Sequence, residues 1–150
     1  MRVLVIGATG QFAGLVVPAL VSRGVQVRAL VHDPAKQDRV RDAGADQSVA
    51  GDLRDPVSVR AALDGVDGVF LILPAFAPDS AALGSGVVAA AQAARVRRLV
   101  FSGVYHPSLS LVNHASMRPV EESVYHSDLE FTILQPAMFM QGLFGGWQSA

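Results

Sequence analysis

Three glycines near the start of the chain are the first residues with chemistry to do. In MRVLVIGATGQFAGLVV the apolar run Val3–Ile6 leads straight into Gly7, with Gly10 and Gly14 close behind. Gly7 permits a tight turn, and Gly10 lets the backbone meet a ligand with no Cβ in the way. The N–H groups from Thr9 through Gln11 and Phe12 to Ala13 fall at a helix start. There the helix dipole favours an anion such as a pyrophosphate. Gly14 lets the helix lie close on the strand layer. A tight strand–helix turn with no ligand is the other reading of these residues. The position of the motif, between the first strand and the first helix, favours the ligand.

Charged residues that could complete a nucleotide site follow at telling distances. Asp33 stands about 20 residues beyond the glycine turn, the spacing of an acid that holds a ribose 2′-hydroxyl. It also fits the N-cap position before Pro34. His32 beside it and Lys36, the only lysine in the sequence, offer positive charge. Histidine is largely neutral at pH 7 and is a weaker phosphate ligand than arginine. Asp52 precedes RDP, where an aspartate is an easy turn residue. Ser102 ends an apolar strand, either as a reactive hydroxyl or as a cap. Tyr105, His106 and His114 follow it, and the histidines also read as ordinary loop residues. His106, His114 and His126 have no recognised metal spacing and no nearby acid, so no metal is expected.

Alternating strands and helices must position these residues. Val3–Ile6 reads as the first strand. Phe12 to Ser22 reads as a helix closed by Gly24, with a kink expected from Pro18. Val25–Val31 is a second strand, followed by a helix capped by Asp33 and stopped by Gly44. Gln47–Ala50 is a weak third strand, and Asp55–Pro56 opens a helix that ends before Gly65. Gly68–Leu73 is the most apolar strand, stopped by Pro74. Ala81–Ala94 is a helix of small residues able to lie close on a sheet. Arg97–Gly103 is a fifth strand, Val120 to about Ser127 a helix, and Phe131–Pro136 a sixth strand. Glu121 and Glu122 fall in a first helical turn, where their charge suits the dipole. Tyr105 to Met117 carries no assignable pattern.

Near-continuous apolar strands alternating with capped helices predict a doubly wound parallel α/β sheet of about six strands, covered on both faces. Such a sheet binds ligands at the C-terminal ends of its strands, where strand order reverses. The 150 residues suit one domain, 1–150, with 51% hydrophobic residues and a mean hydropathy of +0.36. No apolar run reaches the roughly 18 residues a membrane span needs, and no signal peptide is evident. There is no cysteine, hence no disulfide or thiolate metal site, and a net charge of −1 gives no case for nucleic acid as partner. These features fit a cytoplasmic protein.

VLVIGATGQFAG, VRALVHDPAK, GDLRDPVSVRAALDGVDGVFLILP and VEESVYHSDLEFTILQPAMFMQ together resemble the NmrA-like group of atypical short-chain dehydrogenase/reductases, across essentially the whole chain. The resemblance implies an NAD(P)-binding Rossmann domain whose backbone from Thr9 to Phe12 holds the cofactor pyrophosphate. The family's usual glycine is replaced here by Ala13. The resemblance also implies that Asp52 accepts a hydrogen bond from the adenine amino group, with Leu53 against the ring. Leu73 and Pro74, where the fourth strand stops, complete the expected cofactor contacts. The family often has arginine at the position of His32, suiting a 2′-phosphate, and Lys36 fits a position that helps neutralise it. NADP is therefore expected, with NAD as the alternative. Family members are usually about twice as long and carry a C-terminal substrate lobe beyond the sixth strand.

Typical short-chain dehydrogenases use a tyrosine and a lysine one helical turn apart, the lysine easing proton exchange by the phenol. Here Leu109 and Leu129 stand four residues beyond Tyr105 and Tyr125, so no such pair forms between sequence neighbours. In NHASMRPVEE the family's frequent lysine position holds Met117, with Arg118 next, and arginine is a poor proton carrier. Two functions follow as expectations: an NADPH-dependent reductase of quinone- or enone-type substrates, or a dinucleotide-binding sensor or regulator without chemistry. A bare cofactor domain is a third. The apolar tail residues Phe139, Leu143, Phe144 and Trp147 would pack either on the sheet or on a second copy of the chain.

Overall fold

The computed structural model describes residues 1–138; the expectation for Phe139, Leu143, Phe144 and Trp147 lies outside them. Six strands form one wholly parallel sheet: β1 (Arg2–Ile6), β2 (Gln26–Val31), β3 (Gln47–Ala50), β4 (Gly68–Ile72), β5 (Arg98–Ser102) and β6 (Glu130–Leu134). Their order is β3-β2-β1-β4-β5-β6. This is the doubly wound arrangement expected from the alternation, and its strand order reverses between β1 and β4. The helices are α1 (Val16–Val21), α2 (Gln37–Asp42), α3 (Pro56–Leu63), α4 (Ser80–Ala93), α5 (Val112–Ala115) and α6 (Arg118–Tyr125). None among the described residues is long and apolar enough to cross a membrane.

Side chains alternate across the sheet and build two cores. Leu4, Ile6, Leu71, Leu99 and Phe101 pack with α3, α4 and α6 on one face. Val3, Val5, Val27, Ala29 and Val31 pack with Val17 of α1 and Val40 of α2 on the other. At Gly84, α4 comes close to its neighbours. A Cβ there would sit 2.6 Å from Val120 Cγ2 and 2.8 Å from Leu73 Cδ1. Val120 is fully buried and has nowhere to go. Gly84→Ala should therefore lower stability by about 1–3 kcal/mol through overpacking, outweighing the gain in helix propensity. Urea unfolding would check this as a lower midpoint with an unchanged slope.

The capping signals hold. Asp33 Oδ1 accepts from the Ala35 N–H at 3.0 Å, and Asp55 accepts from Val57 and Ser58 at 2.9 and 3.3 Å. The structure differs from expectation at the start of α1, at Pro18 and at Glu122. The helix expected from Phe12 starts later: Ala13–Leu15 is a single 3-10 turn, and α1 begins at Val16. Pro18 thus lies in the first turn of α1, where its missing N–H would have had no partner anyway, so it has no interior hydrogen bond to break. The unassigned stretch contains the short helix α5. α6 starts at Arg118 rather than Val120, so Glu122 falls beyond its first turn, while Glu121 lies in that turn, as expected, and is buried at 5% exposure. There the Gln135 side-chain amide Nε2 donates to its two carboxylate oxygens at 2.8 and 3.0 Å.

Candidate functional site

The residues that directly follow the strands meet in one cleft. Gly7 follows β1, His32 follows β2, Gly51 follows β3, Leu73 follows β4 and Gly103 follows β5. All five line a cavity of about 560 Å³ that crosses the C-terminal edge of the sheet at the β1/β4 reversal. Apolar strands carry the chain to this edge, and the polar residues begin where the strands stop.

At the middle of the cleft stands the glycine turn. Gly7 has φ +83°, a left-handed conformation that a side chain would strain, and a Cβ there would strike Ile72 Cγ2 at 2.7 Å. This lets β1 end flush against β4. Gly10 N donates to Gly7 O at 2.8 Å, and Gly14 N to Gly10 O at 3.1 Å, closing two tight loops. Among the described residues, the Thr9 and Gln11 N–H groups donate to no protein acceptor. Gln11 and Gly10 are exposed. Unspent backbone donors at a cleft-lining turn fit the phosphate groups of a dinucleotide.

One end of the cleft lies at the β2 and β3 ends. His32 Nδ1 stands 3.8 Å from Asp52 Oδ2, an ion pair only when the imidazole is protonated. Asp52 Oδ1 accepts from Arg54 N at 2.9 Å, and Ser58 Oγ bridges the Asp52 backbone at 2.9 Å on both sides. Asp52 thus does the turn work its sequence suggests and also borders the cavity, with Leu53 next to it. Arg54 borders the cavity too. Its Nε and Nη2 donate to the Asp79 carboxylate at 2.7 and 3.0 Å. Lys36 does not line the cavity. It sits on an exposed 3-10 turn with Nζ 3.8 Å from Asp33 Oδ2.

The other end, toward β4 and β5, is apolar: Leu73, Leu83, Val104 and Met117, with Ser102 and Asn113 as the polar groups. Ser102 is 7% exposed, and Asn113 Oδ1 accepts from the Phe76 N–H at 3.2 Å, tying α5 to the β4–α4 loop. Tyr105, His106, His114 and Arg118 do not border the cavity. His106 has φ +54° and its carbonyl lies 3.1 Å from His114 Nδ1. Arg118 pairs with Glu122 at 3.5 Å. Tyr125, also outside the cavity, meets Phe131 edge-on at 5.6 Å. His126 Nδ1 lies 2.7 Å from Glu122 O, away from the other histidines' shared contact.

Of the expected site residues, Gly7, Thr9, Gly10, Gln11, Phe12, His32, Asp52, Leu53, Leu73 and Pro74 come together in the cleft, and Lys36 stands outside it. Arg54, Asn113 and Leu83 line the same cleft without having been singled out. Arg54 carried a signal, since it stands two residues past Asp52. Asn113 lies in a stretch without periodicity and carried none.

A parallel sheet of this order, with a glycine turn at its reversal point, defines a dinucleotide-binding protein. The NAD(P)H-binding family matches residues 7–148, and the chain belongs to that family, in agreement with its NmrA-like resemblance. It is 36% identical over 143 residues to an NAD(P)H azoreductase of Xenophilus azovorans, covering 94% of this chain and 49% of the relative. It is 30% identical over 156 residues to the photosystem II assembly factor Ycf39 of a Synechocystis strain, covering 97% of this chain and 47% of the relative. The chain therefore spans about half the length of these curated relatives. Among solved structures, Escherichia coli NADPH-dependent quinone oxidoreductase QOR2, complexed with NADPH, aligns with a TM-score of 0.87 at 24% identity, over 99% of this chain and 53% of its own. Citrobacter triphenylmethane reductase, complexed with NADP(H), aligns with a TM-score of 0.82 at 25% identity, over 100% of this chain and 56% of its own.

Proposed function

We propose that this chain forms the cofactor-binding part of an NADPH-dependent reductase of quinones and similar electron-poor acceptors. The observation that carries the reading is a cleft with donors at its centre and an apolar pocket at one end. A nicotinamide lying in that pocket would supply hydride. The chain's own work is to hold the cofactor and to shape the space in front of it. Backbone N–H groups at Thr9 and Gln11 hold phosphate, Leu53 and Asp52 meet the adenine, and Leu73, Pro74, Leu83 and Met117 exclude water from the reacting end. Among the cavity-lining residues the titratable ones are His32, Asp52 and Arg54, all at the adenosine end. The acceptor end offers a hydroxyl and an amide, Ser102 and Asn113, to orient an oxygen or nitrogen.

That arrangement suits an acceptor that takes its proton from water once hydride has been delivered, as a quinone does. The names of the azoreductase, quinone oxidoreductase and triphenylmethane reductase relatives point the same way. The same lack of a titratable group at the acceptor end among the described residues favours a second reading, a dinucleotide-binding sensor or assembly factor, as the Ycf39 relative is named. NADPH oxidation followed with a panel of quinones and azo dyes separates the two. Acceptor-dependent turnover supports the reductase. NADPH binding by calorimetry with no turnover on any acceptor supports the sensor.

A further inference from the structure

We propose that Arg54, held by Asp79, is an adenine-contacting arm that closes the adenosine end of the cleft over the bound dinucleotide. The inference rests on the dinucleotide reading and adds a residue to it. A dinucleotide with its pyrophosphate on the Gly7–Ala13 turn runs its adenosine toward the β2 and β3 ends and its nicotinamide toward β4 and β5. The loop after β3 is therefore where the base arrives, and Arg54 is the full positive charge on the cavity wall there.

Its placement is fixed on both sides. The Asp52 carboxylate accepts from the Arg54 backbone N–H at 2.9 Å, which turns the chain. Two parallel bonds of 2.7 and 3.0 Å join the guanidinium to Asp79, the residue just before α4. The pair thus ties the β3–α3 loop to the β4–α4 loop, whose residues Leu73, Pro74 and Ala75 form the facing wall. A bidentate pair fixes the guanidinium plane as well as its position. With its edge committed to Asp79, the arginine keeps a flat cationic face for a purine ring. Lysine could keep the charge but neither the fork nor the face.

The test is calorimetric titration of the whole chain and its variants with NADPH, NADH, ADP-ribose and reduced nicotinamide mononucleotide, alongside thermal unfolding. Arg54→Ala should weaken NADPH, NADH and ADP-ribose alike, by about tenfold, and leave the mononucleotide unchanged. Arg54→Lys should recover less than half of that loss on a logarithmic scale. Asp79→Asn should weaken the same three ligands by a smaller factor, because the arm loses its anchor and keeps its ring contact. Unchanged ADP-ribose affinity in Arg54→Ala, or full rescue by Arg54→Lys, would overturn the arm. So would an equal loss for the mononucleotide, which would show a clamp that merely holds two loops. A parent chain that binds neither NADPH nor ADP-ribose would instead overturn the dinucleotide reading itself, and the arm with it.

Discussion

Gly10→Asp should abolish NADPH binding while leaving the chain folded. A Cβ at Gly10 would meet only Gly7 O, at 3.0 Å, and the position is exposed. The turn has to give by a few tenths of an ångström, which costs little stability at an open edge. On the proposed reading, a carboxylate there would face a pyrophosphate held by the Thr9 and Gln11 N–H groups. At about 4 Å and an effective dielectric near 20, one such charge pair repels by about 4 kcal/mol. That is about a thousandfold in affinity. Gly10→Ala separates space from charge and should lose far less. Calorimetry against NADPH reads the binding, and thermal unfolding shows that the fold is intact. A Gly10→Asp chain that binds as tightly as the parent would make the turn purely structural. Gly7 is a poor place for the same experiment, because its positive φ and its contact with Ile72 mix folding with binding.

What could be read from the sequence was what is written locally. Every strand but the weak β3, QSVA, carries an apolar run with a stop, so most strand ends and the cleft residues that follow them were legible. Asp33 and Asp55 cap because proline follows them, a signal two residues long. The start of α1 is not legible in this way, because an apolar run says nothing about where the helical ladder begins, and the glycine turn delays it to Val16. Partnerships between distant residues were out of reach. Glu121 reads as a dipole-stabilising acid of a first helical turn, and nothing in the sequence shows that Gln135, from just beyond β6, donates to its carboxylate. Arg54 reads as part of a turn until the β4–α4 loop brings Asp79 to it across 25 residues. Lys36 shows the reverse: its position was plain in the sequence, and its pairing with Asp33 outside the cavity was not.

That pairing shapes the second large expected effect, the choice between NADPH and NADH. Asp33 is the acid at the spacing that reads a ribose 2′-hydroxyl. In the structure its Oδ1 accepts from Ala35 N and its Oδ2 faces Lys36 Nζ, so both oxygens are turned to the start of the following helix. A capping carboxylate engaged in this way does not reach for a ribose. Lys36 is held only loosely, at 3.8 Å with its side chain 55% exposed. A surface pair of that kind is worth less than about 1 kcal/mol. A 2′-phosphate, with nearly two negative charges, offers a charge-assisted contact of about 1.5–3 kcal/mol. Lys36 should therefore leave Asp33 for the phosphate when NADPH binds. Lys36→Ala should weaken NADPH by about tenfold and leave NADH nearly unchanged. Asp33→Asn keeps a capping oxygen and removes the opposing charge. It should tighten NADPH and leave NADH where it was. Paired titrations of parent, Lys36→Ala and Asp33→Asn against both cofactors measure all of this. A parent that prefers NADH, or an Asp33→Asn chain that loses NADH affinity, would show that Asp33 turns to the ribose on binding and that the cofactor is NAD.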